Sequence, residues 1–90
     1  MTKQKILIVD DEKGIRESLT IILEMEGYEV RSAGDTGSAL SILRENGGFD
    51  YIISDIRLPG GNGMDFLREI REGGDSSVVI MISAYGTIEN

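Results

Sequence analysis

The 90-residue chain has no cysteine, no histidine, one proline, and only 9 basic residues against 16 acidic ones. Without cysteine, neither a disulfide framework nor a thiolate metal site can form, and a reducing cytoplasm is the expected compartment. The lack of histidine removes the usual zinc ligation and every histidine-based catalytic triad. The shortage of basic residues leaves a net charge of −7 and a pI of about 4.4, which opposes direct binding to nucleic acid or to an anionic membrane. No apolar run approaches the roughly 18 residues of a membrane span. The polar start, Met1–Lys5, leads straight into a strand-like run, so no signal peptide is visible.

What is present reads as one small domain. Hydrophobic residues are 40% and charged residues 28% of the total, ordinary values for a globular protein. Strand-like and helix-like patterns alternate along the chain, with no repeat, linker or low-complexity segment. Ile6-Leu7-Ile8-Val9 is a first strand; Ile15, Leu19, Ile22 and Leu23 then recur at helical spacing as core positions, and Gly27 suits a helix C-terminus. A second strand over Tyr28–Arg31 alternates polar and apolar residues and suits a sheet edge. Asp35 or Thr36 caps a second helix running to about Glu45, with Ala39, Leu40 and Leu43 inward. A third strand covers about Asp50–Ser54, and Leu58–Gly63 reads as a loop turned by proline and glycine. Met64, Leu67 and Ile70 mark a third helix closed by Gly73-Gly74, Val78–Ile82 is a fourth strand, and Thr87–Asn90 opens a fourth helix.

Strands alternating with helices in this way imply parallel βαβ units, an α/β sheet and helices on both faces. The continuously apolar first, third and fourth strands fit positions buried on both sides. Ligands of open parallel sheets bind beyond the carboxyl ends of the strands. That edge collects Asp10 and Asp11 after the first strand, Asp55 after the third and Ser83 after the fourth. Carboxylates so close must take up protons or recruit a cation, and a hard, oxygen-seeking ion such as Mg²⁺ is the natural answer. Taken singly, each residue has a plainer explanation: acids after a strand cap the next helix, Asp55 is a loop residue, and Ser83 is a cap or a strand-end serine.

The ordered set is more specific than its parts. Ile8-Val9-Asp10-Asp11-Glu12, Ser54-Asp55-Ile56-Arg57-Leu58-Pro59-Gly60, Gly63 and Ile82-Ser83-Ala84-Tyr85-Gly86 resemble the receiver domains of bacterial two-component response regulators. The resemblance covers residues 1–90, and the Asp55 loop and Met81–Asn90 look most like receivers of σ54-dependent transcriptional activators. It implies a flavodoxin-like sheet of order 2-1-3-4. It further implies that Asp55 accepts a phosphoryl group from a sensor histidine kinase in an Mg²⁺-dependent reaction that shifts the domain to an active state controlling an output. By the same resemblance Asp11, Asp55 and the Arg57 backbone carbonyl ligate Mg²⁺, Asp10 acts largely through water, and Ser83 and the Ala84 amide meet the phosphoryl oxygens. The implied role is that of a signalling module rather than an enzyme.

The sequence departs from the family in ending before a fifth strand and the lysine that follows it, so the expected domain is incomplete at its C-terminus and impaired in phosphotransfer. Lys3, Lys5 and Lys13 are the only lysines, and none follows a late strand. Val78–Ile82 then forms an open apolar edge, which invites pairing. The expectation is a piece of a longer protein or a homodimer through this strand or the fourth-helix region. An Mg²⁺-dependent phosphohydrolase using an aspartyl phosphate is the alternative. Phosphatases of the haloacid-dehalogenase type need a second acid two residues after the nucleophile, where this chain has Arg57. A flavodoxin-like cofactor binder would need a glycine- and hydroxyl-rich phosphate loop after the first strand, where Asp10-Asp11-Glu12 stands.

Overall fold

Every other residue of the first strand, β1 (Lys5–Val9), belongs to a different core. Side chains of a strand alternate between faces, so Leu7 and Val9 join one apolar cluster while Ile6 and Ile8 join another on the opposite side. All four are essentially inaccessible to solvent, and each such side chain contributes about 1.5–3 kcal/mol of burial. The computed structural model describes residues 3–58, 61–74 and 76–82.

The elements follow as α1 (Lys13–Met25), β2 (Glu29–Ala33), α2 (Thr36–Asn46), β3 (Tyr51–Asp55), β4 (Arg57–Leu58), β5 (Gly61–Asn62), α3 (Gly63–Glu72) and β6 (Val78–Ile82). Four strands form a parallel sheet of order β2-β1-β3-β6, the 2-1-3-4 order expected, with the alternating strand β2 at an edge. The helices lie on both faces. Ala39 of α2 and Phe66 and Ile70 of α3 pack with Leu7, Val9, Ala33, Phe49 and Ile52, whereas Leu19 and Leu23 of α1 pack against Ile6, Ile8 and Val30 on the other side.

Local chemistry sets the boundaries. Helix α1 closes in a Schellman turn: the Gly27 N–H donates to the Glu24 carbonyl and the Tyr28 N–H to the Leu23 carbonyl, with Gly27 at φ +98°. Asp35 is the N-cap of α2, its Oδ1 accepting the Ser38 N–H at 2.7 Å.

Four expectations change. Among the described residues α2 and α3 cover one face and α1 the other, and Ile15 and Ile22, read as core, are exposed, as is Met25 at 81%. Nor is β6 buried on both sides: Val79 packs on the α2–α3 side while Val78, Ile80 and Ile82 are exposed. In α3 the buried pair is Phe66 and Ile70, one turn apart, and Met64 faces solvent. The span read as a loop after Asp55 holds a short antiparallel pairing, Arg57 with Asn62 and Leu58 with Gly61; Pro59 and Gly60 lie outside the described residues, as does the expected fourth helix at 87–90.

Candidate functional site

Parallel register carries the acidic residues to one edge. Val9 pairs with Ser54 and Asp55 with Ile82, so the chain leaves β1 at Asp10 beside Asp55, at the carboxyl ends of the two central strands. One carboxylate oxygen each from Asp10, Asp11 and Asp55 lies within 4.8 Å of the others. Asp10 and Asp55 are buried, at 3% and 6% exposure, while Asp11 is exposed.

The three carboxylates are held differently. Asp10 is fixed at several atoms: its N–H donates to the Ala33 carbonyl at 3.1 Å, its Oδ1 accepts the Glu12 N–H at 2.9 Å, and its carbonyl accepts from Arg16 Nη1 at 2.8 Å. Asp55 Oδ1 accepts the Arg57 N–H at 3.1 Å, and the buried Ser54 hydroxyl donates to the Asp55 carbonyl at 3.0 Å. Asp11 makes no hydrogen bond among the described residues. None of the three caps α1, whose N-cap is Glu12 without a side-chain cap bond. The plainer explanation of the acidic pair as a helix cap therefore fails, and the second oxygens of Asp10 and Asp55 have no partner among the described residues. No side-chain oxygen or nitrogen shut away from solvent lacks a partner among the described residues, so these oxygens are reached by water.

Three carboxylates at this spacing repel one another by about 1 kcal/mol per pair in water and about 3–4 kcal/mol at an effective dielectric near 20. An all-oxygen donor set with water access suits a hard divalent cation, and a Mg²⁺ ion keeps several waters when it binds carboxylates. Arg57, the other residue tied by resemblance to the metal, sits two residues beyond Asp55 at the start of β4. Ser83 and Ala84 directly follow Ile82, the partner of Asp55 in register, and lie outside the described residues. Arg16 and Ala33, which hold the Asp10 backbone, escaped the sequence reading; the Ala33 contact joins β1 to β2, which no local pattern links.

An open parallel sheet of order 2-1-3-4 with three carboxylates at its carboxyl edge has the flavodoxin-like architecture. The chain belongs to the response regulator receiver domain family, whose model matches residues 6–90. It is 40% identical over 89 residues to the response regulator protein PilR of Pseudomonas aeruginosa, covering 99% of this chain and 20% of PilR. It is 36% identical over 87 residues to the DNA-binding response regulator MtrA of Mycolicibacterium smegmatis, covering 97% of this chain and 38% of MtrA. The chain thus spans a fifth to two fifths of these relatives. Among solved structures, the response regulator TrrA of Thermotoga maritima with Mg²⁺-BeF superposes with a TM-score of 0.82 at 39% identity, over 91% of this chain and 70% of that one. A structure of the histidine kinase ThkA in complex with TrrA matches at a TM-score of 0.83 and 37% identity, over 97% of this chain and 74% of that one. Among the described residues, no helix is long and apolar enough to cross a membrane.

Proposed function

We propose that residues 1–90 act as a phosphoaccepting receiver in which Asp55 is the acceptor. The observation that carries this reading is the convergence of Asp10, Asp11 and Asp55 oxygens within 4.8 Å at the carboxyl edge of the sheet. A carboxylate oxygen of Asp55 attacks the phosphorus of a phosphohistidine on a sensor kinase. The P–N bond breaks, the imidazole leaves and takes up a proton, and an aspartyl phosphate remains. Asp11, Asp55 and the Arg57 carbonyl would hold Mg²⁺, with Asp10 acting largely through water. The ion supplies the neutralisation that lets an anionic carboxylate approach an anionic phosphoryl group. By the family resemblance, Ser83 and the Ala84 amide, which follow Ile82 in sequence, take the phosphoryl oxygens.

The Asp55 side chain is oriented for this by the Arg57 N–H on its Oδ1, which leaves the other oxygen for attack or ligation. The ThkA–TrrA complex supports a histidine kinase as partner, and the Mg²⁺-BeF complex of TrrA supports the metal. We place the domain in the cytoplasm, in a regulator whose DNA-binding function, where there is one, lies outside this chain. The phosphohydrolase reading lacks its second acid, since Arg57 stands two residues after Asp55.

Intact mass after incubation with acetyl phosphate and Mg²⁺ tests the proposal. The expected result is an adduct of about 80 Da, one phosphoryl group, that is absent without Mg²⁺ and absent in Asp55→Asn. An adduct that persists in Asp55→Asn places the acceptor elsewhere and overturns the assignment.

A further inference from the structure

An arginine one turn into α1 bonds the backbone of one member of the acidic cluster and pairs with no carboxylate among the described residues. Arg16 forms no ion pair among the described residues; its Nη1 donates instead to the backbone carbonyl of Asp10 at 2.8 Å. That carbonyl belongs to the peptide plane joining Asp10 to Asp11, and a peptide plane moves as a rigid unit. The Asp10 N–H is anchored to Ala33 and its Oδ1 to Glu12, so the Arg16 bond completes the fixing of this turn. Asp11 has no hydrogen bond of its own among the described residues and is exposed. Its direction depends on the plane that Arg16 holds.

The guanidinium is located from its other side as well. A Cβ placed on Gly34, in the turn between β2 and α2, would stand 3.1 Å from Arg16 Nη1 and 3.6 Å from its Cζ. Gly34 is not among the glycines with positive φ, so its backbone does not demand glycine. The guanidinium occupies the space a side chain would take.

We infer that Arg16 is a positioning residue for the metal site: it sets the Asp10–Asp11 peptide so that both carboxylates converge with Asp55 on one cation, and Gly34 makes room for it. The inference rests on the metal reading above. Its sign distinguishes it from simple charge. A cation beside the site repels Mg²⁺, so removing it on Coulomb grounds alone strengthens metal binding. Loss of positioning weakens it.

Titration calorimetry with Mg²⁺ on the full chain, with far-UV circular dichroism at each starting point, reads this directly. Arg16→Met keeps most of the apolar stem and removes the donors; binding weakens by about 2- to 10-fold, the range for one hydrogen bond. Gly34→Ala, which pushes on a retained guanidinium, weakens binding in the presence of Arg16 and has no effect in the Arg16→Met background. Equal or tighter binding by Arg16→Met overturns the inference while leaving the metal reading intact, provided wild type binds and Asp11→Asn does not. A wild-type chain that binds no Mg²⁺ overturns both. If Arg16→Met does not fold, Arg16→Gln, which also removes the guanidinium, takes its place, and wild-type affinity in that variant overturns the inference.

Discussion

Neutralising Asp11 separates the cost of the acidic cluster from its use. Asp11 is exposed and makes no hydrogen bond among the described residues, so Asp11→Asn removes a charge and no other interaction. With oxygens within 4.8 Å, its repulsion with Asp10 and with Asp55 is about 0.9 kcal/mol each in water, about 2 kcal/mol together. At physiological ionic strength screening reduces the sum to about 1 kcal/mol. In a domain of this size that raises the melting temperature by about 4–8 °C. In chelator, therefore, Asp11→Asn is more stable than wild type. In Mg²⁺ the order reverses, because wild type gains about 2.7 kcal/mol at a hundredfold excess over its dissociation constant and the variant loses a ligand. Melting curves in low salt, in 0.15 M salt, and with and without Mg²⁺ check the crossing and its salt dependence. Because the whole chain carries −7, Glu69→Gln on exposed α3 serves as a control for global charge. Asp11→Asn no more stable than Glu69→Gln in chelator would refute the repulsion argument.

Three further outcomes follow from local features. Phe66→Ala empties the centre of the larger core and lowers the unfolding free energy by about 3–5 kcal/mol, whereas Met64→Ala on the exposed side of the same helix leaves the urea midpoint nearly unchanged. Gly27→Ala places a Cβ on a residue at φ +98° and costs about 1 kcal/mol by chemical denaturation; an unchanged midpoint would mean the Schellman turn rearranges. The Ser38 N–H and then its hydroxyl hold the Asp35 carboxyl below its ordinary value of 3.8, so the contribution of this cap is full above that pH and lost as pH falls through the lowered folded value. Asp35→Asn keeps an acceptor without the titration, and the stability difference between wild type and this variant changes between pH 6 and pH 3; a constant difference would contradict the cap assignment.

Strand ends and caps were legible in the sequence because they depend on neighbours in the chain. Runs such as Ile6–Val9 point to buried strands, the residue after a strand lies at the sheet edge, and a parallel sheet puts all such residues at one end. Asp10, Asp11 and Asp55 therefore converge as expected, and Asp35 caps α2 as expected. What depends on how elements are distributed was not legible. Periodicity marks Ile15 and Ile22 as apolar positions of α1, but it carries no count of the helices on that face; among the described residues only α1 lies there, and they are exposed. Met64, Leu67 and Ile70 give the correct helix with the wrong phase, because Phe66, flanked by Asp65 and Leu67, lies one turn before Ile70 and takes the core.

The two acids of the Asp10-Asp11 pair do different work, and the difference follows from one peptide bond. Asp10 is buried and tied to β2, to the start of α1 and to Arg16; it is a fixed point from which one carboxylate oxygen is still offered. Asp11 is exposed and has no hydrogen-bond partner among the described residues, so it would accept a cation without displacing one of them. A site made of three tied carboxylates would have to break hydrogen bonds to load, and one made of three free side chains would spend rotamer entropy on each. With two acids held and one free, this edge loses little order on binding. On the proposed function, a bound divalent cation would relieve the charge repulsion of this edge and make the metal-loaded form the more stable one.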